Sequence, residues 1–181
     1  MDFKELKLKD LILITPQVFG DERGFFLESY NKEKYHKAGL TMEFVQDNHS
    51  KSAANVLRGL HFQKPPFAQG KLVRCIKGSI LDVIVDLRKS SPTYLQSEAV
   101  KLDAISMQSL YVPEGFAHGF ITLEEAEVQY KCTNLYHKES EGGILWSDPT
   151  LNLPWGSSNP MVSDKDKILP VLSDIIHELP F

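Results

Sequence analysis

Four short segments hold the side chains that could do chemistry. In Arg58-Gly-Leu-His61-Phe-Gln63, followed by Gln69-Gly-Lys71, a histidine shares one stretch with two cations. Such a histidine can move a proton, and a lysine can stabilise an oxyanion. A strand, a turn through Pro65-Pro66 and a return strand would place His61 and Lys71 near each other across a hairpin. By spacing alone the plainer alternative is a core-edge histidine and a solvated lysine. The second segment, Pro113-Glu-Gly-Phe-Ala-His118-Gly119-Phe120, sets another histidine beside a glycine that permits close backbone approach. In the third, Tyr130 and Tyr136 sit on or near a strand, where a tyrosine is most often a half-buried packing residue with a wet tip. The fourth, Ser163-Asp-Lys-Asp166, offers a carboxylate that could orient a histidine, although an acidic run by itself is usually a solvated face. Only a fold can bring Asp166 to His61.

The elements that must position these residues read mostly with period two. Ile80 to Leu87 (ILDVIVDL) puts Leu81, Val83, Val85 and Leu87 on one face and Ile80, Asp82, Ile84 and Asp86 on the other. This predicts a strand with one face in the core and two carboxylates on the other. Further strands are predicted at 11–15, 25–30, 43–45, 56–62, 72–76, 98–102, 109–112, 119–123 and 128–132. Gly20-Asp21, Pro65-Pro66, Gly70, Gly78, Ser91-Pro92 and Pro113-Glu-Gly115 separate several of them. Many short strands at this spacing indicate an all-β sandwich or barrel. Helix is scarce: Asn31 can cap a segment that ends at Gly39, and Ser163 can cap a short turn. The 136–159 stretch reads as ordered coil. A straight strand places Arg58 and His61 on opposite faces, so Gly59 must lie in a bulge or bend if both serve one pocket.

The 181 residues, 42% of them hydrophobic, fit one domain with a substantial core, about 70% of the unfolded surface being buried at this size. Twenty basic against 24 acidic residues give a net charge of -4, which disfavours nucleic acid as a partner while leaving room for a small anion in a local cationic pocket. No apolar run is of membrane-spanning length, and the N-terminus has no signal-peptide core, so a soluble cytoplasmic protein is expected. Cys75 and Cys132 form no CxxC pair and read as small core residues.

Read together, several segments closely resemble the dTDP-4-dehydrorhamnose 3,5-epimerase family of sugar-nucleotide epimerases. They are Phe19-Gly-Asp-Glu-Arg-Gly-Phe-Phe-Leu-Glu-Ser-Tyr30, Phe44-Val-Gln-Asp-Asn-His-Ser-Lys-Ser52, Val56-Leu-Arg-Gly-Leu-His-Phe-Gln63, Gln69-Gly-Lys-Leu-Val-Arg74, Asp82 to Arg88, Val112-Pro-Glu-Gly-Phe-Ala-His-Gly-Phe120 and Ser163-Asp-Lys-Asp166. The resemblance spans nearly the whole chain in the family's order and is weaker at 136–159 and beyond Asp166. It implies a cupin-type jelly-roll barrel, a homodimer and a nucleotide-sugar substrate. It implies further that His61 is the catalytic base, Asp166 its partner, Tyr130 the acid on the far side of the sugar ring, and Lys71 the group that steadies an enolate. Arg58 matches a position near a diphosphate; Gln46, Asn48, His118 and Tyr136 match pocket positions. Arg23, Phe26 and Glu28 match residues that reach the nucleotide across the dimer interface.

The function so implied is epimerisation of dTDP-4-dehydro-6-deoxy-D-glucose at C3 and C5, in dTDP-L-rhamnose biosynthesis, with no cofactor. A C3-only epimerase is the nearest alternative. Metal-binding cupins usually carry an HxH pair followed by a Glu, and here Gln63 stands two past His61, which disfavours a metal and with it a cupin oxygenase. A non-catalytic nucleotide-sugar binder would dispense with the His61 and Asp166 pair, which is present.

Overall fold

The computed structural model describes residues 1–181. Fourteen strands and three short helices follow one another in the order β1 (Asp2–Glu5), β2 (Ile12–Thr15), β3 (Val18–Asp21), β4 (Gly24–Leu27), α1 (Lys32–Lys37), β5 (Gln46–Ser52), β6 (Val56–Gln63), β7 (Lys71–Lys77), β8 (Ser79–Asp86), β9 (Ser97–Asp103), β10 (Ser109–Val112), β11 (Phe116–Thr122), β12 (Ala126–Cys132), β13 (Glu141–Gly143), β14 (Met161–Val162), α2 (Asp164–Lys167) and α3 (Leu172–Ile175). One sheet runs β1-β2-β10-β7-β12-β5; the other runs β13-β6-β11-β8-β9, with β14 beside β6. The pair β3–β4 forms a separate hairpin. The two large sheets pack face to face as a jelly-roll barrel.

Alternation along the strands sorts the side chains into three apolar clusters. Between the sheets lie Val73, Cys75, Ile80, Ile84, Leu110, Phe120 and Val128 with their neighbours. Outside the second sheet, Leu57, Leu60, Val83, Val85 and Ile121 pack under Trp155, Leu172 and Leu179 of the C-terminal segment. Outside the first sheet, Ile14, Leu72 and Tyr111 pack under Tyr35 of α1. Each large side chain so buried contributes about 1.5–3 kcal/mol.

Strand β8 is therefore buried on both faces, not one: Asp82 and Asp86 are as inaccessible as Val83 and Val85. Asp86 is compensated by Arg88, Ser91 and Thr93. The predicted strand at 43–45 is instead β5, which begins at Gln46. Its inward positions Gln46, Asn48, Ser50 and Ser52 are all polar, so it carries no hydrophobic alternation to read. The strand expected at 25–30 ends at Leu27, and β1 and β3, short and largely exposed, went unread. The 136–159 coil contains β13 and a 3-10 turn at Lys138–Ser140. Both expected caps form: Asn31 Oδ1 accepts the Lys34 N–H at 3.1 Å, and Ser163 Oγ accepts the Asp166 N–H at 3.1 Å.

Strands β6 and β7 are not a hairpin. They belong to different sheets, and the Pro65-Pro66 loop crosses between them. His61 and Lys71 thus meet across the barrel rather than along a ladder.

Candidate active site

One end of the barrel interior is polar, and register explains why. On β7 the inward residues are Lys71, Val73 and Cys75; on the adjoining β12 they are Cys132, Tyr130 and Val128, paired respectively with them. Both strands run from a polar mouth into the apolar cluster. Facing them, β6 contributes Arg58 and His61, and β11 contributes His118, whose Cα pairs with that of His61. Here β6 sets three residue steps, Arg58 to His61, against two on β11, Phe120 to His118. The extra residue turns both Arg58 and His61 to the same cavity, as a bulge at Gly59 requires. Gly59 has φ +123, and a Cβ there would lie 2.6 Å from the Gly119 Cα, so neither side of this crossing tolerates a side chain.

Two cavities, of about 630 and 320 Å³, adjoin at His61, Lys71 and Tyr130, which line both. His61 Nε2 lies 2.7 Å from Asp166 Oδ1, and the other oxygen of that buried carboxylate accepts the Gly59 N–H at 3.2 Å. Burial alone would raise Asp166, but the hydrogen bond and charge of His61, with Gly59 and Ser163, outweigh it and hold the carboxyl below its ordinary range. The bond to Asp166 engages Nε2 of His61 and leaves its other ring nitrogen, Nδ1, without a protein partner. Tyr130 stands on the opposite sheet; burial chiefly, with a contribution from Cys132, raises its phenol and keeps it protonated at neutral pH, Arg58 opposing weakly. Burial pulls the Lys71 ammonium below the usual lysine range, partly offset by Cys132, Asp82 and Glu141.

The larger cavity is lined by Lys51, Arg58, Lys71 and Lys165 against one carboxylate, Asp166. A chain of negative net charge thus concentrates positive charge where a ligand would lie. Arg58 Nε donates to Ser52 Oγ at 3.1 Å. His118 Nε2 stands 2.6 Å from Asp82 Oδ1, out of line for a hydrogen bond. In the smaller cavity Gln46 Nε2 donates to Asn48 Oδ1 at 3.1 Å, while Gln46 Oε1 accepts the Tyr136 N–H at 2.9 Å. Gln63 is engaged with backbone: its amide donates to the Phe67 and Leu135 carbonyls and accepts the His137 N–H.

His61, Asp166, Tyr130, Lys71, Arg58 and His118 come together in the larger cavity, and Gln46, Asn48 and Tyr136 line the smaller one. Arg23, Phe26 and Glu28 do not: they lie on or just after the β3–β4 hairpin, outside both cavities. Phe26 is 66% exposed, Arg23 is paired with Asp21, and Glu28 with Asn31 and Lys34. Sequence reasoning missed Glu141 and Lys165, which also line the cleft. Glu141 lay in a stretch read as coil, and Lys165 was hidden in the charged Ser163-Asp166 turn.

A jelly-roll barrel with an acid–base cleft and a surplus of cations defines an enzyme of the cupin class acting on an anionic substrate. The family model described as dTDP-4-dehydrorhamnose 3,5-epimerase matches residues 5–174. The chain is 54% identical over 168 residues to the dTDP-4-dehydrorhamnose 3,5-epimerase of Shigella flexneri, covering 92% of this chain and 93% of that one. It is similar to the crystal structure of the Bacillus anthracis enzyme of that name with TDP and PPi bound, at 49% identity and TM-score 0.92, covering 94% and 99% of the two chains. A Legionella pneumophila 3,5-epimerase in complex with dTDP-4-keto-L-rhamnose is 42% identical at TM-score 0.93, with 98% and 96% covered. The chain belongs to the dTDP-4-dehydrorhamnose 3,5-epimerase family and is an isomerase.

Proposed function

We propose that this chain epimerises dTDP-4-dehydro-6-deoxy-D-glucose at C3 and C5 to give dTDP-4-dehydro-L-rhamnose, in dTDP-L-rhamnose biosynthesis. The observation that carries the reading is the cleft in which His61, held by Asp166 at 2.7 Å, shares both adjoining cavities with Lys71 and Tyr130. The C4 ketone acidifies the hydrogens on C3 and C5. His61 Nδ1 removes one of them, Asp166 favours the imidazolium that forms, and Lys71 stabilises the enolate oxygen. Inversion needs a proton from the other face of the ring, and Tyr130, on the opposite sheet from His61, donates it. Proton transfer of this kind contributes about 10²–10⁴-fold.

Arg58 binds the diphosphate, and Gln46, Asn48, His118 and Tyr136 line the pocket. Arg23, Phe26 and Glu28 reach the nucleotide held by a second copy, which gives the exposed hairpin a purpose and makes the working form a homodimer. Residues 1–181 act as a single domain in the cytoplasm, with no cofactor; no helix is long and apolar enough to cross a membrane. The test is incubation with the substrate in deuterated water, followed by NMR. Deuterium at both C3 and C5 is expected; incorporation at neither refutes the reading, and incorporation at C3 alone replaces it with the single-centre one.

A further inference from the structure

Glu141 of β13 is the only residue of the cleft wall whose carboxylate links two separate segments of it. Its Oε2 accepts the Tyr136 hydroxyl at 2.9 Å, and its Oε1 accepts Lys165 Nζ at 2.6 Å. The strand that holds it is rigidly placed: β13 pairs with β6 so that Glu141 opposes Gln63 and Gly143 opposes His61. Tyr136 is consequently held at both ends, its backbone N–H by Gln46 of β5 and its phenol by Glu141. Lys165 immediately precedes Asp166 on α2, a four-residue helix too short to keep its geometry unaided. That turn is fastened on the barrel side by the contacts of Asp166 with Gly59 and His61, and on the outer side by Lys165 to Glu141.

We infer that Glu141 is a positioning residue for the proton-transfer reaction, clamping the turn that carries Asp166 and the Tyr136 wall into one register against the His61 strand. The inference rests on the epimerase reading above and extends it to a side chain that touches neither reacting carbon. Burial would raise the Glu141 carboxyl, but Lys165 and Tyr136 outweigh it and keep it below the ordinary glutamate range, so the clamp is charged and closed at neutral pH. Tyr136 and Lys165 are each more than half exposed, so their lost contacts cost little folding stability while freeing the geometry of the site.

The test compares wild type, Glu141→Ala and Glu141→Gln on dTDP-4-dehydro-6-deoxy-D-glucose in deuterated water, with Tm measured for each. In Glu141→Gln the amide oxygen can still accept from Lys165 while the amide N–H donates to the Tyr136 oxygen, which preserves both links without the charge. Glu141→Ala is expected to lower kcat about 10- to 100-fold, as a small misplacement of catalytic groups does. KM should rise by less than kcat falls, and Tm should change by no more than about 4 °C. Glu141→Gln should return to within about threefold of the wild-type rate. Because Tyr136 is one arm of the clamp, Glu141→Ala should cost less in a Tyr136→Phe background than alone. A wild-type kcat in Glu141→Ala, a Glu141→Gln rate as low as that of Glu141→Ala, or full additivity with Tyr136→Phe overturns the assignment while leaving the epimerase reading intact. No exchange in the wild type refutes the epimerase reading and takes the Glu141 assignment with it.

Discussion

Replacing Asp166 by Asn separates tautomer control from mere filling of space. The buried carboxylate faces two donors: Oδ2 accepts the Gly59 N–H at 3.2 Å, and Oδ1 faces His61 Nε2 at 2.7 Å. An asparagine fits the same volume, but only its oxygen can accept from Gly59. The amide N–H must therefore point at His61 Nε2, which becomes an acceptor, and the ring proton moves to Nδ1. In the proposed mechanism Nδ1 is the atom that abstracts the substrate proton, so the variant should fold with its base blocked. The loss should approach the whole acid–base contribution, about 10²–10⁴-fold in kcat, which is roughly 3–5 kcal/mol of barrier. The reversed amide has a further consequence: Asp166→Ala leaves the imidazole free to adopt either tautomer, so the more conservative Asn variant should be at least as impaired as Ala. The assay is the rate of deuterium incorporation at C3 and C5, with circular dichroism and Tm as folding controls. An Asn variant within tenfold of wild type, or one far more active than Ala, would refute the argument.

With Tyr130 as the proposed acid, Tyr130→Phe should lower kcat by about 10²-fold or more with little change in KM; steady-state kinetics would expose an unchanged kcat. Gly59→Ala sets a Cβ 2.6 Å from the Gly119 Cα at a φ of +123, and overpacking plus backbone strain should cost about 3 kcal/mol or more. For a chain of this size that lowers Tm by roughly 6–12 °C, which calorimetry would detect. Asp86, Asp148 and Asp166 all have carboxyls held below the ordinary aspartate range. A depressed folded value means stability that is present above the unfolded pKa, about 3.9, and is lost as pH falls through the folded values. Urea melts at stepped pH should therefore show stability falling below about pH 4, and a protein equally stable at pH 3 and pH 6 would contradict the shifts.

What the sequence determined by itself was local. Period-two runs such as Ile80 to Leu87 declare strands wherever the inward positions are apolar, and Asn31 and Ser163 announce their caps through a single side-chain oxygen. The residue types of the cleft, and through them the family, were also legible, as was the need for a bulge at Gly59, because Arg58 and His61 are three steps apart and so fall on opposite faces of a straight strand. Strand β5 was missed for the same physical reason that makes it useful: its inward row is polar and faces the cleft, so no hydrophobic signal marks it. Tertiary structure alone decided the rest. It parted β6 and β7 into opposing sheets, so that His61 and Lys71 line the cleft from opposite sides instead of lying along a hairpin. It brought Asp166, 105 residues away in the chain, to 2.7 Å from His61, and it gave the two oxygens of Glu141 their partners. Strand order and sheet packing arise from burying whole faces against one another, a property of all the strands together that no single segment encodes.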